Sequence, residues 1–250
     1  MEESKVKSLS KALDVLDCFS VDEPELGITE ICNKLGLYKS NVHNIVSTFE
    51  KHGYLTKNPH TNKYKLGLNI LKLSNIISSN LHERDFIQPH IKQIANETDE
   101  IVYYAILHNK QVLYLDYACT SGTIMGDVQD GRHGSSVLHR DGKSDAGFFA
   151  GRRTRKLAAG RFAQFTENTI TNKEAMRAEL IKSRKRGYSV DNMEHEYGIK
   201  GVGVPIMDRR GYPFAAISIS GPSLRFDEDK IEFFAGLLKQ HKQQIERQLP

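Results

Sequence analysis

The sequence predicts an α+β fold in two parts: a helix-turn-helix with a polar hairpin, then a larger unit built on a mainly antiparallel sheet. Three observations predict it. Apolar residues recur at helical spacing up to residue 52 and are interrupted at Gly36. Residues 55–57 and 63–66 are short extended segments around the turn-rich tip Asn58-Pro-His-Thr-Asn. Beyond residue 100, alternating apolar runs joined by tight turns are flanked by helical segments.

Over 6–19, Val6, Leu9, Ala12, Leu13, Leu16 and Phe19 make one helical face, with Ser8 and Ser10 as candidate caps. A polar turn containing Pro24 follows. Thr29 is placed to cap a short helix whose inner face is Ile31, Cys32 and Leu35. Gly36 ends it, because a left-handed residue lets the chain reverse sharply. Ser40 is the expected cap of the next helix, which buries Val42, Ile45, Val46 and Phe49 and stops at Gly53. Lys39, Ser40, Asn41, His43, Asn44 and Ser47 then fall on its exposed side and N-terminal end, the surface that meets base edges and phosphates when such a helix enters a major groove. Residues 67–81 turn helical again through Leu68, Leu71, Ile76 and Ile77 and read as a connector between domains.

The second part begins with a helix over 86–97. Strands are expected at 101–107, 111–117 and 122–128, with a tight turn at Asn109-Lys110. An amphipathic helix over 174–186 ends at Gly187. A hairpin of 199–207 and 213–220 surrounds Asp208-Arg-Arg-Gly, and a closing helix runs over 227–249. The domains expected are 1–66, a connector 67–81, and 82–250.

A length of 250 residues accommodates two domains, and 39% hydrophobic with 26% charged residues fits a globular protein. No apolar run approaches membrane-spanning length, which predicts no membrane partner. Cys18, Cys32 and Cys119 are widely separated, as free thiols in a reducing, cytoplasmic setting would be. The net charge of +4 is mild, but its distribution is not. Residues 1–33 carry 3 lysines against 8 acids (3 − 8 = −5), and residues 34–66 carry 6 lysines against Glu50 alone (6 − 1 = +5). Positive charge therefore gathers on the second helix and the hairpin, where Lys57, Lys63 and Lys65 are placed to clamp phosphate.

Several classes of chemistry lack their residues. No Walker loop, Gly-x-Ser-x-Gly elbow or paired nucleophile and base is present, so no catalytic residues and no cofactor are assigned. Glu194-His-Glu lacks the two-imidazole spacing of a zinc helix, and residues 127–134, with Asp-Gly and His-Gly pairs, read as a turn; no metal ligands are assigned.

The whole chain resembles the IclR family of bacterial transcription regulators. Ser8-Leu-Ser-Lys-Ala-Leu-Asp-Val-Leu resembles the family's first helix; Lys39-Ser-Asn-Val-His, Glu50-Lys-His-Gly-Tyr-Leu and Tyr64-Lys-Leu-Gly resemble its recognition helix, wing entry and wing exit. Phe165-Thr-Glu-Asn-Thr-Ile-Thr, Arg186-Gly-Tyr-Ser-Val-Asp, Gly198-Ile-Lys-Gly-Val-Gly-Val-Pro and Ala216-Ile-Ser-Ile-Ser-Gly-Pro follow its consensus in order and spacing. The resemblance implies a winged helix-turn-helix joined by a linker helix to a GAF-like effector domain. It implies a homodimer or homotetramer on operator DNA, controlled by a small organic acid, more often as a repressor of a catabolic operon. It also carries over effector-binding positions: Asp191, Gly142 and Lys143 in a closing loop, Gly201, and Ser218 with Ser220. Period-2 geometry independently sets the last two on one strand face. The chain departs from the family at Asn44, where Arg is frequent, at Asn41, where Thr is common, at Gly201, where Cys is usual, and along His139-Arg-Asp-Gly-Lys-Ser-Asp-Ala. The alternative from another class is a small-acid-metabolising enzyme with an N-terminal interaction module.

Overall fold

The computed structural model describes residues 5–108, 111–121, 123, 133–134 and 164–249, and the chain divides into two compact units, 1–81 and 82–250.

In the first unit α1 (Lys7–Leu16), α2 (Ile28–Leu35) and α3 (Lys39–Lys51) precede a two-stranded hairpin, β1 (Leu55–Lys57) and β2 (Tyr64–Leu66), and then α4 (Leu68–Ser79). Val15, Leu26, Ile31, Val42, Val46, Leu55 and Tyr64 close into one core. Burying each large aliphatic side chain among them contributes roughly 1.5–3 kcal/mol, more than a helix of 8 residues gains from propensity. Gly36 has φ 65°, and a Cβ there would meet nothing within 4 Å, so it serves backbone conformation alone.

The helix starts differ from those expected. Val6 precedes α1 and Tyr38 precedes α3 without a side-chain cap, so neither Ser8, Ser10 nor Ser40 caps. Gly27, not Thr29, begins α2, and Glu30 reaches back to accept the Gly27 N–H at 2.6 Å. A carboxylate three residues into a helix competes well with a hydroxyl, because the orphan amides and the helix dipole both favour negative charge.

The second unit contains α5 (His82–Thr98), β3 (Ile101–His108), β4 (Gln111–Ala118), β5 (His133–Gly134), α6 (Lys173–Arg186), β6 (Ser189–Asn192), β7 (Ile199–Met207), β8 (Pro213–Pro222) and α7 (Glu228–Gln248). The sheet is antiparallel throughout, in the order β5-β4-β3-β8-β7-β6. Residues 133–134, expected within a turn, form a short edge strand, and β6 is a strand that local pattern did not indicate. The expected strand over 122–128 and the turn at 109–110 lie outside the described residues.

α5 and α7 cover one face of the sheet. Ile87, Ile91, Ile94, Phe234, Leu238 and Ile245 pack there against Val102, Tyr104, Val202, Val204, Ile217 and Ile219. A register shift between Tyr104 and Ala105 in the β3–β4 pair leaves Leu115 unpaired. The bulge keeps Asp116 on the helical side, where Arg84 of α5 donates to it at 2.8 Å, and turns Tyr114 and Tyr117 to the other.

Candidate nucleic-acid interface and ligand face

α3 divides by exposure as its period requires. Val42 and Val46 are fully buried, while Lys39, Ser40, Asn41, His43 and Asn44 are exposed and Ser47 is half-buried. The six predicted positions therefore share one surface. With no side-chain cap, the first amides of α3 remain available, and the helix dipole adds partial positive charge at the end carrying Lys39. Tyr38, 81% exposed at the head of the helix, extends this surface and was not singled out from the sequence. Its only signal there was an aromatic residue among polar ones.

The hairpin pairs Leu55 with Leu66, Thr56 with Lys65 and Lys57 with Tyr64. Its three lysines are not equivalent. Lys65 is exposed, and Lys57 lies 5.8 Å from the Tyr64 ring centroid. Lys63 donates to Glu30 at 2.8 Å. Lys34 is likewise paired with Glu23. Two of the six lysines behind the local excess of positive charge thus meet acids from the preceding segment. These are surface pairs of small net worth, but they leave Lys39, Lys57 and Lys65 as the freer cations of the interface.

The wing is tied to the first unit by more than its own hairpin. Leu26 and Tyr64 exchange both backbone bonds, at 2.9 and 2.8 Å, so the 20–27 loop is held to the hairpin by one antiparallel bridge. At the tip Asn58 Oδ1 accepts from His60 N at 2.9 Å, while its Nδ2 donates to both Glu25 oxygens at 3.0 and 3.2 Å. Thr61 Oγ1 donates to Glu25 at 3.2 Å. At the other end Gly67 N donates to Tyr54 O at 2.8 Å, Asn69 N to Gly53 O at 3.2 Å, and Asn69 Nδ2 to His52 O at 2.5 Å. The first turn of α4 is therefore bolted to the 52–54 turn that ends α3.

On the sheet's second face the register brings the predicted ligand positions together. Asp191 opposes Gly201, and Gly201 opposes Ser220; Ser189 opposes Gly203, Gly203 opposes Ser218, and Ser218 opposes Tyr103. Ser218, 8% exposed, makes no side-chain hydrogen bond among the described residues. Ser220 donates weakly to Lys200 O at 3.3 Å, and Asp191 accepts from Glu194 N at 2.9 Å. Asp191, Gly201, Ser218 and Ser220 thus share one polar surface. Gly142 and Lys143 lie outside the described residues. Sequence reasoning missed Tyr103, Tyr114, Tyr117 and Ser189; the Tyr103 and Tyr114 rings stand 5.0 Å apart on this face. Alternation alone could have nominated Tyr103 but not Tyr114, whose facing depends on the bulge. Among the described residues no group of three metal-ligating side chains occurs.

Comparison with known proteins bears on both surfaces. Residues 8–59 match the IclR helix-turn-helix domain, and residues 77–247 match the bacterial transcriptional regulator IclR C-terminal domain. The chain is 31% identical over 231 residues to the HTH-type transcriptional regulator BhcR of Paracoccus denitrificans, covering 90% of this chain and 81% of that one. It is 25% identical to the transcriptional repressor IclR of Escherichia coli, covering 96% and 89%. Among solved structures, Thermotoga maritima IclR is similar with a TM-score of 0.66 at 26% identity, covering 97% and 98%. An IclR homologue from Microbacterium hydrocarbonoxydans complexed with 4-hydroxybenzoate shares the fold with a TM-score of 0.73 at 20% identity, covering 96% and 98%.

Proposed function

The chain belongs to the IclR family of bacterial transcriptional regulators, and on that premise we propose that it represses a catabolic operon by binding a partly palindromic operator as a dimer or tetramer and responds to a small organic acid. The observation that carries the DNA-binding part is α3 itself: one uncapped, solvent-facing helix face bearing Lys39, Ser40, Asn41, His43 and Asn44 beside an anchored wing. Lys39, Lys57 and Lys65 position the protein on phosphate, and Asn41 and Asn44 read base edges. Lys63 joins them by exchanging Glu30 for a phosphate.

Self-association is supported by exposed apolar residues at two helices of the first unit. Val6, Leu9 and Leu13 border or lie on α1, and Leu68, Leu71, Ile76 and Ile77 lie on α4; all are exposed. A second copy covering them would set two α3 helices about one DNA turn apart, ~34 Å. No helix among the described residues is long and apolar enough to cross a membrane, consistent with a cytoplasmic regulator.

The effector is proposed to lie over Asp191, Gly201, Ser218 and Ser220, with Gly142 and Lys143 completing its site. The structural neighbour with 4-hydroxybenzoate supports a small carboxylated ligand. α4 is the covalent route by which effector binding shifts the DNA-bound state, which requires the ligand to prefer one state over the other.

Two experiments test the assignment. In a mobility-shift titration against the protein's own upstream region, Lys39→Ala should lower the salt slope by about one and Asn41→Ala should weaken specific binding by about 1–3 kcal/mol. Unchanged affinity in both would sink the helix assignment. In thermal scans with a panel of small carboxylic acids, the Asp191→Ala, Ser220→Ala double variant should lose the Tm rise that a binding acid gives the wild type while DNA binding persists. Retention of that rise would refute the ligand face.

A further inference from the structure

The wing carries an oddity that DNA binding alone does not explain. Glu25 is a half-buried carboxylate beside the tip of an element expected to meet phosphate, where its charge opposes the partner. Yet it is bonded, across 33 and 36 positions of sequence, to the two side chains that define the tip turn, Asn58 and Thr61. The hydrogen bond from Asn58 holds its carboxyl below the usual carboxylate range.

We propose that Glu25 is the positioning residue of the wing, fixing the 58–62 turn through Asn58 and Thr61 so that Lys65 and the tip amides meet phosphate in one geometry. The tip needs such a clamp. Asn62 has φ 56°, a conformation uncommon outside glycine, and β1 and β2 have only three residues each. A hairpin that short does not hold its turn unaided. Asn58 divides its functions: Oδ1 closes the turn by accepting from His60 N and Thr61 N, and Nδ2 docks that closed turn on Glu25. Leu26, the next residue, pairs with Tyr64, so the same stretch of chain grips the wing at its base and at its tip. The ordering entropy of the wing is thereby met within the free protein and does not fall on DNA binding. Lys63 and Lys65 stand close enough to offset part of the Glu25 charge.

This inference rests on the DNA-binding reading, and its test separates the two. Fluorescence anisotropy of the full chain on a duplex of its own upstream region, from 50 to 200 mM salt, gives affinity and salt slope. Glu25→Ala should bind about tenfold more weakly, with a slope reduced by roughly one to two, as one or two phosphate contacts are lost. Glu25→Gln should bind at least as tightly as the wild type, because the amide oxygen accepts from Asn58, the amide N–H₂ donates to Thr61, and the opposing charge is gone. In a Lys65→Ala background, Glu25→Ala should add little, because the contact it positions has already been removed. Three results would overturn the proposal: unchanged affinity in Glu25→Ala, equal losses in Ala and Gln variants, or full additivity with Lys65→Ala. A wild type that binds no DNA would instead remove the DNA-binding reading, and the positioning role with it.

Discussion

Gly67→Ala should loosen the joint between the recognition helix and α4 and destabilise the first unit by about 3 kcal/mol. Gly67 has an ordinary φ of −92°, so its role is not backbone freedom. A Cβ there would stand 2.3 Å from the Gly53 carbonyl oxygen and 3.0 Å from the Tyr54 carbonyl carbon, and backbone cannot swing aside as a side chain can. Separating the two segments breaks the Gly67–Tyr54 bond and the two bonds from Asn69 to His52 and Gly53. The measurement is hydrogen exchange followed by mass spectrometry, because global unfolding of a two-unit chain is not two-state. Amides of 49–70 should lose protection in Gly67→Ala. Gly36→Ala is the contrast: strained at φ 65° but sterically open, it should cost about 1–2 kcal/mol. Equal protection in Gly67→Ala and wild type would refute the joint.

Arg225→Ala should destabilise the second unit by about 3 kcal/mol, because it strands a buried carboxylate. The Glu100 side chain is 2% exposed, and Arg225 meets both of its oxygens, at 2.8 and 3.0 Å. Gly221 lacks a Cβ where the carboxylate needs room, since one would lie 2.1 Å from Oε2. Burial outweighs the attraction of Arg225 and lifts the Glu100 pKa from 4.5 to about 7. The folded state therefore holds the proton more tightly than the unfolded state. That contribution is complete below pH 4.5 and is lost as pH rises through about 7, a fall of roughly 3 kcal/mol at most. Melting of the second unit should shift downward between pH 5 and pH 8, Glu100→Gln should flatten that trend, and Arg225→Ala should steepen it. A wild-type profile that rises with pH and is unaltered by Glu100→Gln would contradict the assignment.

Much of the interface was legible because it depends on local period. The spacing of Val42, Ile45, Val46 and Phe49 dictates which side of α3 faces inward, and Lys39, Asn41 and His43 are exposed as a consequence. Alternation placed Ser218 and Ser220 together for the same reason. The caps were misread at Thr29 and Ser40, because Glu30 offers the Gly27 amide a better acceptor and α3 begins at Lys39 without any cap. Lys63 illustrates a different limit. Its residue type and position suggested phosphate, but its partner Glu30 lies 33 residues earlier, and no sequence window joins the two.

By itself, therefore, the sequence determined the order of elements, the Gly36 turn, the buried stripe of α3 and the alternation of β7 and β8. All of these are set within a few residues by backbone geometry and apolar spacing. Only the tertiary structure decided which lysines are already held by acids, that Glu25 grips the wing tip, and that α4 is bolted to the turn that ends α3. It alone decided that the bulge at Tyr104 turns Tyr114 and Tyr117 onto the face of Asp191, Ser218 and Ser220. The physical reason is the same in each case: hydrogen bonds, ion pairs and register act through space, between partners whose separation in sequence carries no trace of their contact.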